Sequence, residues 1–252
     1  MQHCEKNIAV VILAAGLGTR MKSDKAKVLH EVCGRPMILW VVETATKVAG
    51  ENVILVVGHQ AGQVREVVAE LAPVRYALQE KQLGTGHAVV CALPDVPAEC
   101  RQVLILCGDV PLVTEGTIRD LIADHRAHRR EVTVLAMEVE NPCGYGRIVV
   151  DEANRLVAIV EETDASAEQR KIRIVNTGIY CVDRSFLTRA LKKIDRDNAQ
   201  SELYLTDIVA VGHRDNRRVG VLVAANAHEF RGINTRDDLA AVEGLMRRLN
   251  RI

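Results

Sequence analysis

Blocks of apolar residues in the first half of the chain alternate with longer stretches in which apolar positions recur at helical spacing. Residues 8–14 form a continuous aliphatic run, which is typical of a strand buried on both faces of a parallel sheet. Pro36 opens a predicted helix at Met37–Ala49, and Gly50 follows its end. Further strands are predicted at 53–57, 74–78 and 103–107, and further helices at 63–71, from about 85, and at 114–128. This order predicts right-handed crossovers and a parallel sheet with helices on both faces.

The second half of the chain breaks this alternation. Strands are predicted at 131–139 and 172–182, a hairpin at 146–150 and 156–161, helices at 184–193 and 203–213, and a strand at 218–224. A final helix at about 235–250 carries apolar side chains on one face, namely Leu239, Val242, Leu245, Met246 and Leu249. The hairpin pattern indicates an antiparallel insertion at about 140–182.

Two fold classes fit a chain of this length. A (β/α)₈ barrel would need strict alternation of strands and helices, and that alternation fails after Glu131. No linker rich in Gly, Ser or Pro divides the chain, and it has no internal repeat. We therefore predict one α/β domain over residues 1–252, a Rossmann-like three-layer fold with a mostly parallel sheet and a small antiparallel insertion.

Composition and charge limit the kinds of molecule that the chain is expected to bind. The chain has 33 Lys and Arg against 33 Asp and Glu, and its aromatic content is only 3%. Nucleic acid is therefore not an expected partner, because nonspecific binding needs a surplus of cations and stacking rings. The 7 scattered cysteines form no Cys-x-x-Cys pair, so we expect reduced thiols buried as small hydrophobes. With neither a signal peptide nor a membrane-length apolar run, the protein is expected to be soluble and cytoplasmic.

The most informative segment leaves the first predicted strand. Gly16 and Gly18 let the backbone approach a ligand closely, and successive N–H groups in such a turn form an anion-binding concavity. Arg20 and Lys27 add a forked cation and a point charge, which suit a polyphosphate. The alternative is an ordinary tight turn with solvated cations. Neither the dinucleotide-binding motif nor the P-loop fits, because Met21 stands where each needs a glycine.

The residues that follow strengthen the phosphate interpretation. The run Leu-Ala-Ala-Gly-Leu-Gly-Thr-Arg-Met at 13–21, followed by Lys-Val-Leu-His at 27–30, resembles the signature of sugar-1-phosphate nucleotidyltransferases. More narrowly, it is similar to the uridylyltransferase domain of the bacterial bifunctional N-acetylglucosamine-1-phosphate uridylyltransferase/glucosamine-1-phosphate acetyltransferase family. The resemblance continues in order at 79–87, 108–112, 144–147, 159–161, 175–178, 198–200, 206–207 and 232–234.

This resemblance implies a nucleotidyltransferase fold and a reaction. UTP and N-acetyl-α-D-glucosamine 1-phosphate would give pyrophosphate and UDP-N-acetylglucosamine, a precursor of peptidoglycan and lipopolysaccharide. The resemblance assigns catalysis to Arg20, Lys27 and Asp109. It also implies an Mg²⁺ cofactor held by Asp109 and Asn234, whose hard oxygen donors suit that ion.

The resemblance also implies two sets of substrate contacts. Gln79, Gly84 and Thr85 would bind the base, with exposed backbone donors at Gly84-Thr-Gly86, and Gly146, Glu161 and Asn176 would surround the sugar. The full set of implied substrate-binding residues is Leu13, Ala14, Ala15, Gly16, Gly18, Gln79, Gly84, Thr85, Gly146, Glu161, Asn176 and Asn234. Without the resemblance, Glu161 would be interpreted as a solvated hairpin residue. No catalytic role is expected for His30, His59 or His87, which lack metal-ligand spacing.

Three positions depart from the family pattern. Ala26 stands where the family usually has proline, Cys107 where it usually has tyrosine, and Thr163 where a lysine is expected. The sugar and base therefore stay open. The alternatives are transfer to another sugar 1-phosphate or from another pyrimidine nucleotide, such as thymidylyl transfer to glucose 1-phosphate, or a catalytically silent nucleotide-sugar-binding module. Since the sequence stops after the last predicted helix, no acetyltransferase β-helix domain is expected, and neither acetyl transfer nor trimerisation is carried over from the resemblance. Whether the chain is a stand-alone enzyme or one domain of a longer protein stays open, as does the oligomeric state.

Overall fold

The computed structural model describes residues 4–249, which build one open nine-stranded sheet with helices on both faces and a separate two-stranded sheet. The strands are β1 Ile8–Leu13, β2 Glu31–Val32, β3 Arg35–Pro36, β4 Val53–Val57, β5 Arg75–Leu78, β6 Gln102–Cys107, β7 Val132–Glu138, β8 Arg147–Val150, β9 Leu156–Val160, β10 Ile174–Asp183 and β11 Val219–Val223. The helices are α1 Met37–Ala49, α2 Ala61–Ala69, α3 Thr85–Ala92, α4 Glu115–Ala127, α5 Arg184–Ala190, α6 Asp207–Arg214 and α7 Arg236–Arg248. Short 3₁₀ turns lie at Thr19–Met21, Lys27–Leu29, Leu93–Asp95, Gln169–Lys171 and Ala227–Phe230.

The main sheet has the strand order β11-β7-β10-β6-β1-β4-β5. β1 pairs in parallel with β4 and β6, and β11 pairs in parallel with β7. β10 runs antiparallel to both β6 and β7 in the interior of the sheet, and the β8–β9 hairpin attaches to it. The predicted fold class, an open and mostly parallel sheet with an antiparallel part, is confirmed, and the barrel alternative is wrong.

The apolar residues of β1 divide between two cores because successive side chains of a strand point to opposite faces. Val10 and Ile12 belong to the core that α1, α2, α4 and α7 cover. Ala9 and Val11 belong to the core on the other face, beneath α3, α5 and α6. Each of these strand residues is fully buried, as the continuous aliphatic run predicts.

The element boundaries differ from the predicted ones mainly in the second half. The helix predicted at 203–213 begins only at Asp207, because the backbone of Leu203 pairs with the segment before α3. Leu249, expected within the last helix, is the C-terminal cap of α7 and is 46% exposed, whereas Val242, Leu245 and Met246 of the same apolar face are buried. Residues 1–3 and 250–252 of the predicted domain, including the end of the predicted last helix, lie outside the described residues.

The cysteines do not share one environment. All seven are free thiols, which agrees with the prediction of reduced cysteines. Cys100 and Cys181 are buried, but Cys4 and Cys143 are exposed, so the expectation of buried thiols is wrong for that pair. Across residues 4–249, no helix combines the length and the hydropathy that a membrane crossing would require.

Candidate active site

Two adjoining cavities open where β1, β5 and β6 end. The first, of about 460 Å³, is lined by the glycine loop at 14–18, Gln79 and Gly84, and we call it the loop cavity. The second, of about 340 Å³, is lined by Gly146, Glu161 and Asn176, and we call it the hairpin cavity. The residues common to both walls are Leu13, Arg20, Thr85, Cys107, Asp109 and Asn234. Every site residue expected from the sequence lines at least one of the two cavities.

Four polar side chains meet at the junction of the cavities. The ammonium Nζ of Lys27 lies 2.5 Å from Asp109 Oδ2 and 3.1 Å from Asn234 Oδ1. Arg20 Nη2 donates to the same Asn234 Oδ1 at 2.9 Å. The fold produces this meeting because Asp109 follows the end of β6, Asn234 precedes α7, and the backbone N–H of Ile233 donates to Asp109 O. With two cations against one carboxylate, the junction is suited to an anionic group.

Gly18 shapes the loop that carries these cations. Its φ is +62°, a left-handed conformation that glycine adopts without strain. A Cβ atom at this position would lie 2.5 Å from Lys27 Cβ, so any side chain would displace the lysine. At Gly16, by contrast, the space that a Cβ would take holds no protein atom within 4 Å.

The start of α3 is built around the backbone of Leu203. Gly84 has φ +108°, and a Cβ there would lie 2.5 Å from Leu203 O. The N–H of Gly86 donates to that oxygen at 2.8 Å, and Leu205 N–H donates to Thr85 Oγ1 at 3.0 Å. The expectation of exposed backbone donors along Gly84-Thr-Gly86 is therefore wrong for Gly86, whose N–H is already used.

Gln79 is oriented by a residue for which no role was expected. Its side chain is 3% exposed, and Nε2 lies 3.1 Å from Gly84 O and 3.0 Å from His87 Nδ1. Both neighbours can accept a hydrogen bond, so Nε2 is fixed as the donor end of the amide. The amide oxygen is then the group available to a ligand in the loop cavity.

The hairpin cavity holds a half-buried acid, Glu161. Thr206 Oγ1 donates to Glu161 Oε1 at 3.2 Å, and a Cβ at Gly146 would lie 3.2 Å from Oε2. Burial, with smaller effects of neighbouring carboxylates, raises the pKa of Glu161 above its usual value. The hairpin strand thus points this side chain into a cavity, and the interpretation as a solvated residue is wrong. Asn176 lies beside it, with its Nδ2 donating to Tyr180 OH at 2.8 Å.

Arg147 and Glu162 support the loop before this hairpin, and sequence reasoning missed both roles. Arg147 is 1% exposed, and its Nη2 donates to Glu162 Oε2 at 2.6 Å. A second guanidinium nitrogen donates to Tyr145 O, and Gly144 N–H donates to Glu162 Oε2 at 3.0 Å. The pair therefore fixes both ends of the segment that leads to Gly146. The only signal in the sequence was the arginine that closes the Gly-Tyr-Gly-Arg motif.

Cys107 lies on the wall that the two cavities share. Its Sγ donates to Gly178 O at 3.5 Å, and Gly178, with φ +80°, leaves no room for a Cβ, which would lie 2.7 Å from Sγ. Burial and the nearby charge of Asp109 raise the pKa of Cys107 to about 12. The thiol is therefore protonated at neutral pH, which excludes it as a nucleophile because the thiolate is the reactive form.

Asp109 and Asn234 provide the oxygen donors that a divalent cation would need. Both oxygens converge on the ammonium of Lys27, so positive charge is already favourable between them. Among the described residues, no cluster of three or more His, Cys, Asp and Glu side chains could enclose an ion. This donor set fits Mg²⁺, which commonly takes one or two protein oxygens and completes its shell with phosphates and water.

Comparison with known proteins gives consistent matches along the chain. The sequence model of the MobA-like NTP transferase domain matches residues 10–174. The bifunctional protein GlmU of Pelobacter propionicus is 48% identical over 247 residues, covering 98% of this chain and 54% of that protein. The same-named proteins of Syntrophotalea carbinolica and Desulfotalea psychrophila are 49% and 44% identical over 98% of this chain, covering 53% and 73% of their own lengths. The chain thus spans about half the length of the first two relatives.

A solved structure shares the fold. A Bacillus anthracis crystal structure, described as a glucose-1-phosphate thymidylyltransferase in complex with a sucrose, superposes with a TM-score of 0.75 at 20% identity. The superposition covers 95% of each chain.

Proposed function

Because the chain belongs to the MobA-like NTP transferase family, we propose that it transfers a uridylyl group from UTP to N-acetyl-α-D-glucosamine 1-phosphate. The curated relatives at 44–49% identity are in accord with the motif resemblance to that uridylyltransferase domain. The observation that carries the proposal is the meeting of Arg20, Lys27, Asp109 and Asn234 where two cavities join. Such a junction lets two phosphorylated substrates approach each other from opposite sides.

The reaction is a nucleotidyl transfer without a covalent enzyme intermediate. An oxygen of the sugar phosphate attacks the α-phosphorus of UTP, a new P–O bond forms, and the bond to the β-phosphate breaks to release pyrophosphate. The second pKa of a phosphate monoester is about 6, so the nucleophile is already ionised at neutral pH. The protein therefore needs no general base, and its task is to position two polyanions and to stabilise the charge on the departing pyrophosphate.

The junction residues supply the positive charge for this task. Arg20 presents a fork of N–H donors and Lys27 an ammonium, both aimed at the space between the cavities. Asp109 and Asn234 would hold Mg²⁺, which when bound neutralises phosphate charge. Asp109 holds Lys27 at the junction through their 2.5 Å ion pair.

We assign the loop cavity to the nucleotide. The orientation of Gln79 leaves its amide oxygen to accept a hydrogen bond from a base N–H, which the imide of uracil provides. The open space over Gly16 lets a triphosphate reach the loop backbone, flanked by Leu13, Ala14, Ala15 and Gly18. Gly84 and Thr85 close the cavity on the side of α3.

We assign the hairpin cavity to the sugar phosphate. Glu161 and Asn176 offer a carboxyl and an amide for hydroxyl and N-acetyl groups, and Gly146 leaves room beside them. The absence of a side chain at Gly146 matters because Glu161 Oε2 lies only 3.2 Å from the missing Cβ position.

Pyrophosphate release across a grid of nucleoside triphosphates and sugar 1-phosphates, with Mg²⁺, tests the proposal. We expect one active pair, UTP with N-acetylglucosamine 1-phosphate, and loss of turnover in excess chelator. Highest turnover with a different pair would contradict the assigned substrates. Binding of nucleotide without turnover of any pair would contradict the enzymatic role.

A further inference from the structure

The side-chain amide of Gln60 holds the segment that immediately precedes Lys27. Its Oε1 accepts a hydrogen bond from the N–H of Ala26 at 2.6 Å, and its Nε2 donates to Asp24 O at 2.5 Å. Ala26 is only 2% exposed, so the segment is pressed against the protein at this point. One side chain therefore fixes two backbone groups just before the lysine of the junction.

Gln60 lies in a turn that contacts both the Asp24–Ala26 segment and the glycine loop at 14–18. This turn, residues 58–60, joins β4 to α2, and Gln60 holds a left-handed backbone with φ +53°. Such a conformation is strained for a residue with a side chain and persists only where the surroundings require it. At the other end of the turn, a Cβ on Gly58 would lie 2.8 Å from Ala15 O, so the turn also fits closely against the glycine loop.

The backbone of Ala26 explains why a hydrogen bond is needed here. Its φ of −51° and ψ of 134° lie in the region that proline favours, and proline is the residue expected at this position from the family resemblance. A proline ring would fix φ covalently, but it has no N–H to donate. Its Cδ would also take the place of the amide hydrogen that Gln60 Oε1 accepts. Proline at position 26 would therefore remove this hydrogen bond and bring its Cδ against Gln60 Oε1.

We propose that Gln60 is a positioning residue for nucleotidyl transfer, acting through the Asp24–Ala26 segment on the ammonium of Lys27. Its two hydrogen bonds restrain the backbone before Lys27, as a proline ring would do covalently. The proposal rests on the proposed function, in which Lys27 contacts the phosphates. Displacement of a catalytic group by about 1 Å can lower a rate by about 100-fold, so restraint of this segment affects turnover directly.

The test is a double-mutant cycle with Gln60→Gly and Ala26→Pro. Glycine suits the left-handed backbone and removes the amide, so Gln60→Gly should lower kcat about 10-fold and leave KM for the sugar phosphate within about 2-fold. Ala26→Pro alone should also lower kcat, because the ring meets Gln60 Oε1. The double variant should regain kcat to within about 3-fold of wild type, because the ring then restrains the segment without a clash.

The matched control is Gln63→Ala, which removes an exposed glutamine of α2 and should leave kcat unchanged. Hydrogen exchange of the backbone at 23–29 provides a readout that does not depend on activity. Exchange there should accelerate in Gln60→Gly and slow again in the double variant.

Unchanged kcat in Gln60→Gly, or a double variant no more active than its weaker parent, would overturn the proposal. An inactive wild-type protein in which exchange at 23–29 still responds to Gln60→Gly would contradict the proposed function while supporting the restraint by Gln60. The two failures are thereby distinguishable.

Discussion

At the scale of single residues, the site depends on Lys27, whose ammonium lies between a carboxylate and an amide oxygen. The methylene chain of this lysine packs against Gly18, and its charge is held by Asp109 and Asn234. A cation fixed before the substrates arrive costs no reorganisation during the reaction, which is why such groups stabilise developing charge effectively. Single substitutions at the site should therefore act either by removing the charge of Lys27 or by displacing it.

Lys27→Ala removes the charge from the junction. We expect kcat to fall about 100- to 1,000-fold, the range found when one fixed donor to developing charge is lost. Steady-state kinetics with UTP and N-acetylglucosamine 1-phosphate measures it. Lys171→Ala, which removes a lysine of an exposed pair with Glu168, should stay within about 2-fold of wild type as the matched control. Near-normal turnover of Lys27→Ala would show that the lysine is not catalytic.

Glu162→Gln weakens the support of the hairpin cavity. It removes the carboxylate charge that the Arg147 guanidinium binds and leaves a neutral amide in its place, so the 144–146 segment should lose its fixed position. We expect KM for the sugar phosphate to rise about 3- to 10-fold while KM for UTP changes less than about 2-fold. Equal changes in both KM values would contradict the separation into two cavities. Glu168→Gln, at an exposed pair with Lys171, is the control.

The sequence pointed to the residues of the junction and missed the residues that orient them. Arg20, Lys27 and Asp109 were found because they stand in motifs beside glycines or a strand end. Contacts such as His87 with Gln79, or Glu162 with Arg147, join side chains whose partners depend on the folded backbone. The spacing of residues in the sequence does not predict these contacts.

At the scale of elements, the loop cavity depends on the fit between the start of α3 and the segment before α6. The start of α3 near Thr85 was predicted correctly, but α6 was predicted to begin at residue 203 and begins at Asp207. The backbone of Leu203 pairs with Leu83 O and with the N–H of Gly86, and Leu205 N–H donates to the Thr85 hydroxyl. These tertiary hydrogen bonds prevent the helix from starting there. Helical periodicity alone cannot detect such a competition, because the same apolar residues serve both states.

A glycine-to-alanine variant at the start of α3 tests this fit, and a second one in α7 is its control. Gly84→Ala places a Cβ 2.5 Å from Leu203 O on a left-handed backbone, so we expect a loss of about 1–3 kcal/mol in the free energy of unfolding. Gly244→Ala, in the interior of α7 with no atom within 4 Å of the new Cβ, should gain about 0.5–1 kcal/mol. Denaturant unfolding measures both changes. A Gly84→Ala variant as stable as wild type would contradict the close contact with Leu203.

The start of α6 also carries a pH-dependent contribution to stability. Burial, followed by the charges of Asp195 and Asp164, raises the pKa of Asp207 from 3.8 to about 6. The folded protein therefore binds a proton more tightly than the unfolded chain. This contribution is fully present below pH 3.8 and is lost as the pH rises through about 6.

Asp207→Asn should remove that pH dependence. Because the carboxyl is partly exposed, we expect the loss of unfolding free energy between pH 5 and pH 7 to shrink by only about 1 kcal/mol. Urea unfolding of wild type and variant at both pH values measures the difference. Asp197→Asn, at an exposed acid of the preceding loop, should leave the wild-type pH dependence in place. If Asp207→Asn also kept the wild-type pH dependence, the attribution of that dependence to Asp207 would be refuted.

At the scale of the whole molecule, the chain has zero formal net charge, although its proposed substrates are polyanions. The structure resolves this by concentrating the cations Arg20 and Lys27 at the junction. The open α/β sheet could be predicted from the alternation of strands and helices. The position of β10 in the interior, antiparallel to both neighbours, could not, because strand order and direction depend on contacts between distant segments.

We propose that the junction of the two cavities is where a uridylyl group is joined to a sugar phosphate. ³¹P NMR of wild-type protein with UTP, N-acetylglucosamine 1-phosphate and Mg²⁺ tests it most directly, because substrates and both products are seen in one spectrum. We predict equal appearance of the nucleotide-sugar diphosphate and pyrophosphate, with neither formed at a comparable rate by Lys27→Ala. A wild-type spectrum in which UTP and the sugar phosphate persist unchanged would contradict the proposed uridylyl transfer.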